Sequence, residues 1–182
     1  MERAALEANR SVFEKAHNEN LEGMGTTLTA VALSGADAMI AHIGDSRAYL
    51  IKSGKAQQVS TDHSWVEEQV QAGRLKAEDA REHPSRNVLT RALGIDRDAR
   101  FEIKTVALRG AQSLVLCSDG LYNHVTDAEI AEHTVDQRAQ KACDALVKLA
   151  NERGGTDNIS VVIATLPSLA SDAVGDSPPS EA

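Results

Sequence analysis

Three short strand-like runs lie between residues 26 and 51, so close together that no helix fits between them. Segment 26–33 (TTLTAVAL) is β-branched and alternating, 38–43 follows Gly35-Ala-Asp37, and 47–51 follows Gly44-Asp-Ser46. Parallel strands need a crossover of a dozen residues or more, so connections this short predict an antiparallel meander. Ser53-Gly54 then turns the chain into a fourth short strand over 56–59.

The remaining punctuation completes the order of elements. Leu6 and Phe13, with Ala5 and Ala16, recur at helical spacing over 2–17. Ser64 with Glu67 reads as a capping box for a helix through Ala72, stopped by Gly73, and 76–82 is rich in helix formers up to His83-Pro84. Segment 61–95 is therefore expected to be a helical insert, or flap. Strands follow at 101–107 and 113–117, then a Thr126–Glu129 capping box, a helix over 137–152 and an apolar strand over 158–166. Residues 167–182 are rich in Ser, Pro, Ala and Asp and read as a disordered tail, leaving one domain over 1–166. Strands and helices that come in runs, rather than alternating, indicate an α+β layered sandwich.

Charge and cysteine content narrow the function. A net charge of −8 and a pI near 5.2 exclude a nucleic-acid binder, which needs clustered Lys and Arg. Cys117 and Cys143 sit in apolar contexts and read as core thiols. With neither a charged-then-apolar leader nor an apolar run near eighteen residues, the expected location is the cytoplasm, without membrane contact.

Three aspartates stand where strands run into turns: Asp45 in Ile-Gly-Asp-Ser-Arg, Asp119 in Cys-Ser-Asp-Gly-Leu and Asp157 in Gly-Gly-Thr-Asp-Asn. Each alone is an ordinary turn residue. Repeated at strand ends, carboxylates cost desolvation energy unless paired or bound to cations, and hard cations such as Mg²⁺ and Mn²⁺ prefer such oxygen-rich sites. The histidines show no His-x-His or His-Glu-x-x-His spacing, so nothing points to zinc.

Six segments, in order, carry a resemblance. Gly23-Met-Gly-Thr-Thr27, Ile43-Gly-Asp-Ser-Arg-Ala-Tyr49, Asp62-His-Ser64, His83-Pro-Ser-Arg-Asn-Val-Leu-Thr-Arg-Ala-Leu-Gly94, Cys117-Ser-Asp-Gly-Leu121 and Gly155-Thr-Asp-Asn-Ile-Ser-Val-Val162 resemble successive motifs of the bacterial branch of the protein phosphatase 2C family. The resemblance implies two antiparallel sheets in a sandwich flanked by helices. It also implies a metal-dependent serine/threonine phosphatase with a dinuclear Mn²⁺ or Mg²⁺ centre that activates water for attack on phosphoserine or phosphothreonine. On it, Asp119 and Asp157 match ligands of the two cations, and Asp45 matches a residue that helps hold a weaker third. Asn123 and Asn158 are candidates for supporting the site, and Arg86 and Arg91 for touching substrate. His63 belongs to the Asp-His-Ser loop and is expected to be structural. Phosphoproteins are the implied substrates, and a serine/threonine kinase is an implied partner.

The family's domain ordinarily opens with a phosphate-binding Arg, a Glu/Asp pair and Asp-Gly-x-Gly-Gly, whose Asp bridges both metals. The chain contains no such string; its one Asp-Gly is Asp119-Gly120. The expectation is thus an N-terminally incomplete domain with exposed sheet edges prone to self-association. An alternative follows from it, an inactive phosphatase-like binding or regulatory module.

Overall fold

A computed structural model describes residues 1–167; the expected tail lies, but for Pro167, outside the described residues. Helix α1 (Glu2–Asn18) is followed by β1 (Leu28–Ser34), β2 (Asp37–Ile43), β3 (Arg47–Lys52) and β4 (Lys55–Gln58). Two short helices, α2 (Trp65–Gln71) and α3 (Ala77–Ala80), precede β5 (Glu102–Ala107) and β6 (Ala111–Cys117). The chain then forms α4 (Asp119–Tyr122), α5 (Asp127–Thr134), α6 (Ala139–Glu152) and β7 (Val161–Thr165).

The strands form two antiparallel sheets, ordered β1-β2-β5 and β4-β3-β6-β7. This is the expected α+β sandwich, with one correction to the meander. Strands β1 and β2 do pair, from Leu28↔Ile43 to Ser34↔Asp37, but β3 leaves them and pairs with β4 and β6. Gly44 makes the exit possible. Its φ is +104°, and a Cβ there would lie 2.5 Å from Cγ2 of Thr27, so only glycine fits the bend. The run in β3 also has a reason to leave: it is apolar on both faces and belongs in the middle of a buried sheet. Ala48 and Leu50 face Ala38, Ile40 and Leu114 between the sheets, whereas Tyr49 and Ile51 join Val115, Ile130 and Leu146 beneath the helices.

Helix α6 buries Ala142, Leu146 and Ala150, one stripe at four-residue spacing, against the second sheet. Each fully buried Leu or Ile contributes about 1.5–3 kcal/mol. Helix α5 opens with the expected capping box, Thr126 and Glu129 each bonding the other's backbone N–H. The box expected at Ser64 is half formed. Ser64 Oγ accepts from Glu67 N at 3.3 Å, but the Glu67 carboxylate accepts from Gln71 instead. On the far side, Asn9 anchors α1: its amide donates to the carbonyls of Asp96 and Arg97 and accepts from Gly94 N at 2.7 Å. Among the described residues no helix is long and apolar enough to cross a membrane.

Candidate metal centre

The carboxylates of interest stand at the ends of three different strand-to-turn junctions. Asp45 follows β2, Asp119 follows β6, and Asp157 lies between α6 and β7. Because β3, β6 and β7 are neighbours in one sheet, their ends come together at one rim. There they line a cleft of about 890 Å³, together with Arg47, Asp62, Tyr122 and Asn123, and with Arg81 and Arg86 from the 61–95 insert. Arg91 and Asn158 are not among its lining residues.

Local contacts explain the sequence around each carboxylate. Gly120 must be glycine because the 157–160 segment crosses it, and a Cβ would lie 2.3 Å from the Asn158 carbonyl oxygen. Ser118 staples the same segment: its hydroxyl donates to Asn158 O and accepts from Ser160 N. Asn158 thus takes part through its backbone. Asp119 Oδ1 accepts from Gly120 N, and Asp157 Oδ1 from Asn158 N. At Asp45 the turn is gripped from behind, since Gly44 N donates to His63 Nδ1 at 3.1 Å and His63 N donates to Gly44 O at 2.8 Å. That accounts for the Asp-His-Ser loop, with His63 buried as a clamp.

Sequence reasoning missed the polar frame beside these aspartates. Arg47 makes a forked pair with Asp62, Nη2 to Oδ2 at 2.7 Å, and also donates to Tyr49 Oη. Its guanidinium lies 3.7 Å from the centre of the Tyr122 ring. Tyr122 Oη donates to Asp45 O at 3.0 Å. The Arg in Gly-Asp-Ser-Arg and the Asp in Asp-His-Ser were signals of this pairing, but nothing in sequence spacing joins them.

Electrostatically the three carboxylates are under-compensated. Among the described residues none of them forms an ion pair. Burial, then Asp119 and Asp62, push Asp45 up to about 6. Burial, then Asp157, also raise Asp119. A site that crowds acids, none of them ion-paired, suits a cation. The nearby thiol does not supply a nucleophile: Cys117 is buried and pushed up to about 12.

The tightest group of potential ligands is elsewhere. Among the described residues, His42, His63 and Glu102 are the one set of three whose ligand atoms all lie within 4.8 Å of one another. Its hydrogen bonds are already committed. His42 Nε2 and Nδ1 meet Thr61 O and Thr29 Oγ1, and His63 Nδ1 is taken by Gly44 N. Glu102 accepts from Thr61 N, Thr61 Oγ1 and Lys104 Nζ. This is a structural knot, and a cation would have to displace the partners of His42 and share those of Glu102.

Comparison with known proteins matches residues 1–159 to the model of the family described as protein phosphatase 2C. The chain belongs to the protein phosphatase 2C family. It is 37% identical over 165 residues to the serine/threonine phosphatase stp of Listeria innocua, covering 90% of this chain and 66% of that one. It is 37% identical over 159 residues to the protein phosphatase PhpP of Streptococcus pneumoniae, covering 87% and 65%. The chain therefore spans slightly less than two thirds of these relatives' length. Among solved structures, serine/threonine phosphatase Stp1 from Staphylococcus aureus superposes with a TM-score of 0.85 at 32% identity, over 90% of this chain and 65% of the other. The catalytic domain of PstP in complex with two manganese ions matches with a TM-score of 0.76 at 34% identity, over 86% and 66%. Membership in the protein phosphatase 2C family agrees with the two-sheet sandwich and with the order of the motifs.

Proposed function

We propose that this chain provides most of a metal-dependent protein serine/threonine phosphatase domain, and that Asp119 and Asp157 hold its divalent cations, Mn²⁺ or Mg²⁺. Asp45 stands beside Asp119 as the carboxylate for a third, weaker cation. The observation that carries this reading is the convergence of three uncompensated carboxylates on one cleft in a chain of this family. Their ligand atoms do not all close to within 4.8 Å, which suits ligands shared among several ions better than a cage for one. The donor set is all oxygen, as Mn²⁺ and Mg²⁺ require.

Cations bound there would supply neutralisation of the phosphoryl oxygens and activation of water for in-line attack. The chain's own residues supply the rest. Asp119 and Asp157 are held rigidly, because Gly120 and Ser118 lock their two loops together. Asn123 borders the cleft and offers an amide to water or phosphate. Arg86 brings positive charge to a rim otherwise dominated by acids, where a phosphorylated protein would enter. Arg91 lies close enough to His63 to lower its pKa and is better read as part of the flap's base.

Phosphoserine and phosphothreonine proteins are the proposed substrates, and a serine/threonine kinase the proposed partner. Self-association through the open edges of β1 and β7 is a further proposal, supported by exposed Leu33 and Val162. The reading is tested by phosphate release from phosphothreonine and phosphoserine peptides with Mn²⁺. Release abolished by chelator and by Asp119→Asn is the expected result. No metal-dependent release overturns it in favour of a phosphatase-like binding module.

A further inference from the structure

Asp45 and Asp119 are 74 positions apart, yet their spacing must be fixed for both to serve one site. The described hydrogen bonds contain a single link between the 44–46 turn and the 119–123 segment: Tyr122 Oη donating to Asp45 O at 3.0 Å. The turn's other bonds run away from Asp119, to His63 through Gly44 and to Thr27 and Thr29 through Ser46.

Both ends of this link are stiff. On one side, α4 begins with Asp119 and ends with Tyr122, and between them Leu121 is fully buried while Gly120 is pressed against the Asn158 carbonyl. On the other, the phenol cannot swing freely, because the Arg47 guanidinium covers its ring and is itself forked onto Asp62, which also accepts from Gln58 Nε2 at 2.8 Å. The ring's direction is therefore set by strand β3, and its hydroxyl reaches the carbonyl of the one residue that matters.

We propose that Tyr122 is a positioning residue whose hydroxyl, by holding the Asp45 carbonyl, sets the distance between the Asp45 and Asp119 carboxylates. This rests on the reading of those carboxylates as cation ligands. Tyr122 acts through Asp45 and needs no contact with cation or substrate. Burial and the adjacent acids push the phenol well above its ordinary pKa, so it stays a neutral donor across the working range.

The diagnostic variant is Tyr122→Phe, which keeps the ring beneath Arg47 and removes only the hydroxyl. In the metal-free full chain, amide exchange at residues 44–46 should accelerate about two- to tenfold, with the centres of β3 and β6 unchanged. Unchanged exchange at 44–46 overturns the proposal. Calorimetric Mn²⁺ titration then compares wild type, Tyr122→Phe, Asp45→Asn and the double variant. Tyr122→Phe should weaken Mn²⁺ binding about three- to tenfold alone and add nothing in the Asp45→Asn background. An equal loss in both backgrounds means the hydroxyl acts elsewhere and sinks the idea. A wild-type chain that takes up no Mn²⁺ defeats the reading of the ligands, and the exchange measurement alone then decides what Tyr122 holds.

Discussion

Two polar clusters lie on either side of Gly44, and they have been built by opposite rules. In the His42–His63–Glu102 knot both His42 nitrogens, His63 Nδ1 and the Glu102 carboxylate have protein partners, and burial lowers the pKa values of the two imidazoles. In the Asp45–Asp119–Asp157 cleft, burial and then a neighbouring carboxylate raise the pKa of Asp45 and of Asp119. Polar groups that answer one another stabilise a fold, whereas like charges left facing each other weaken it and await something from outside. This contrast supports the proposal that the second cluster is the one that takes a cation, even though the first is geometrically tighter.

Neutralising an acid in the cleft should therefore have the opposite sign from removing one in the knot. Asp119→Asn is expected to weaken Mn²⁺ binding by more than about a hundredfold, since even residues one step behind a metal ligand cost ten- to a hundredfold. The same change should raise the melting temperature of the metal-free chain by relieving repulsion with Asp45 and Asp157. A lowered metal-free melting temperature would break the contrast. Glu102→Ala should cost about 2 kcal/mol, because Thr61 N–H and the Lys104 ammonium lose their acceptor. Urea denaturation measures it, and a neutral result would mean that the knot is not structural.

The smallest effect concerns pH. His63 titrates at about 4 in the folded chain against 6.5 when unfolded, so below 6.5 the unfolded state binds the extra proton and stability falls as pH drops toward 4. Asp45 works against this. Its folded value is raised to about 6, so its contribution is present at low pH and is lost as pH rises through 6. Metal-free Asp45→Asn lacks one opposing acid, and lowering the pH from 7 to 5.5 should cost about 1 kcal/mol from His63, with the lowered His42 acting in the same direction. Equilibrium unfolding at the two pH values reads this, and adding His63→Asn should make the slope shallower by the His63 share.

Much of this was legible in the chain itself, and the illegible parts share a cause. Turn residues and periodicity marked the strands, the Thr126 cap and the three aspartates, because those signals are local. Pairing partners are not local. The closely spaced runs at β2 and β3 looked like successive strands of one sheet, and only the burial of both faces of β3 and the Gly44 bend send it to the other. The frame around the site was hidden for the same reason: Arg47 meets Asp62 across 15 positions and Tyr122 meets Asp45 across 77. Asn9 was equally invisible, a helix residue whose amide serves a loop 87 positions away. Arg86 lines the cleft while Arg91 lies near His63 instead, although both sit in one motif.

The base of the 61–95 insert carries a last implication. The segment is stitched shut where it leaves and rejoins the body, by Trp65 N to Val88 O at 2.8 Å and Thr90 N to His63 O at 2.9 Å. Whatever lies beyond those stitches hangs from a closed neck, and the entropy of closing a loop grows only with the logarithm of its length. Lengthening the segment beyond buried Val66 therefore adds little loop-closure cost while His63 keeps its grip on Gly44. The insert is thus a segment whose length is only weakly constrained by its own closure, hung beside a carboxylate cleft whose position is fixed by the sheet.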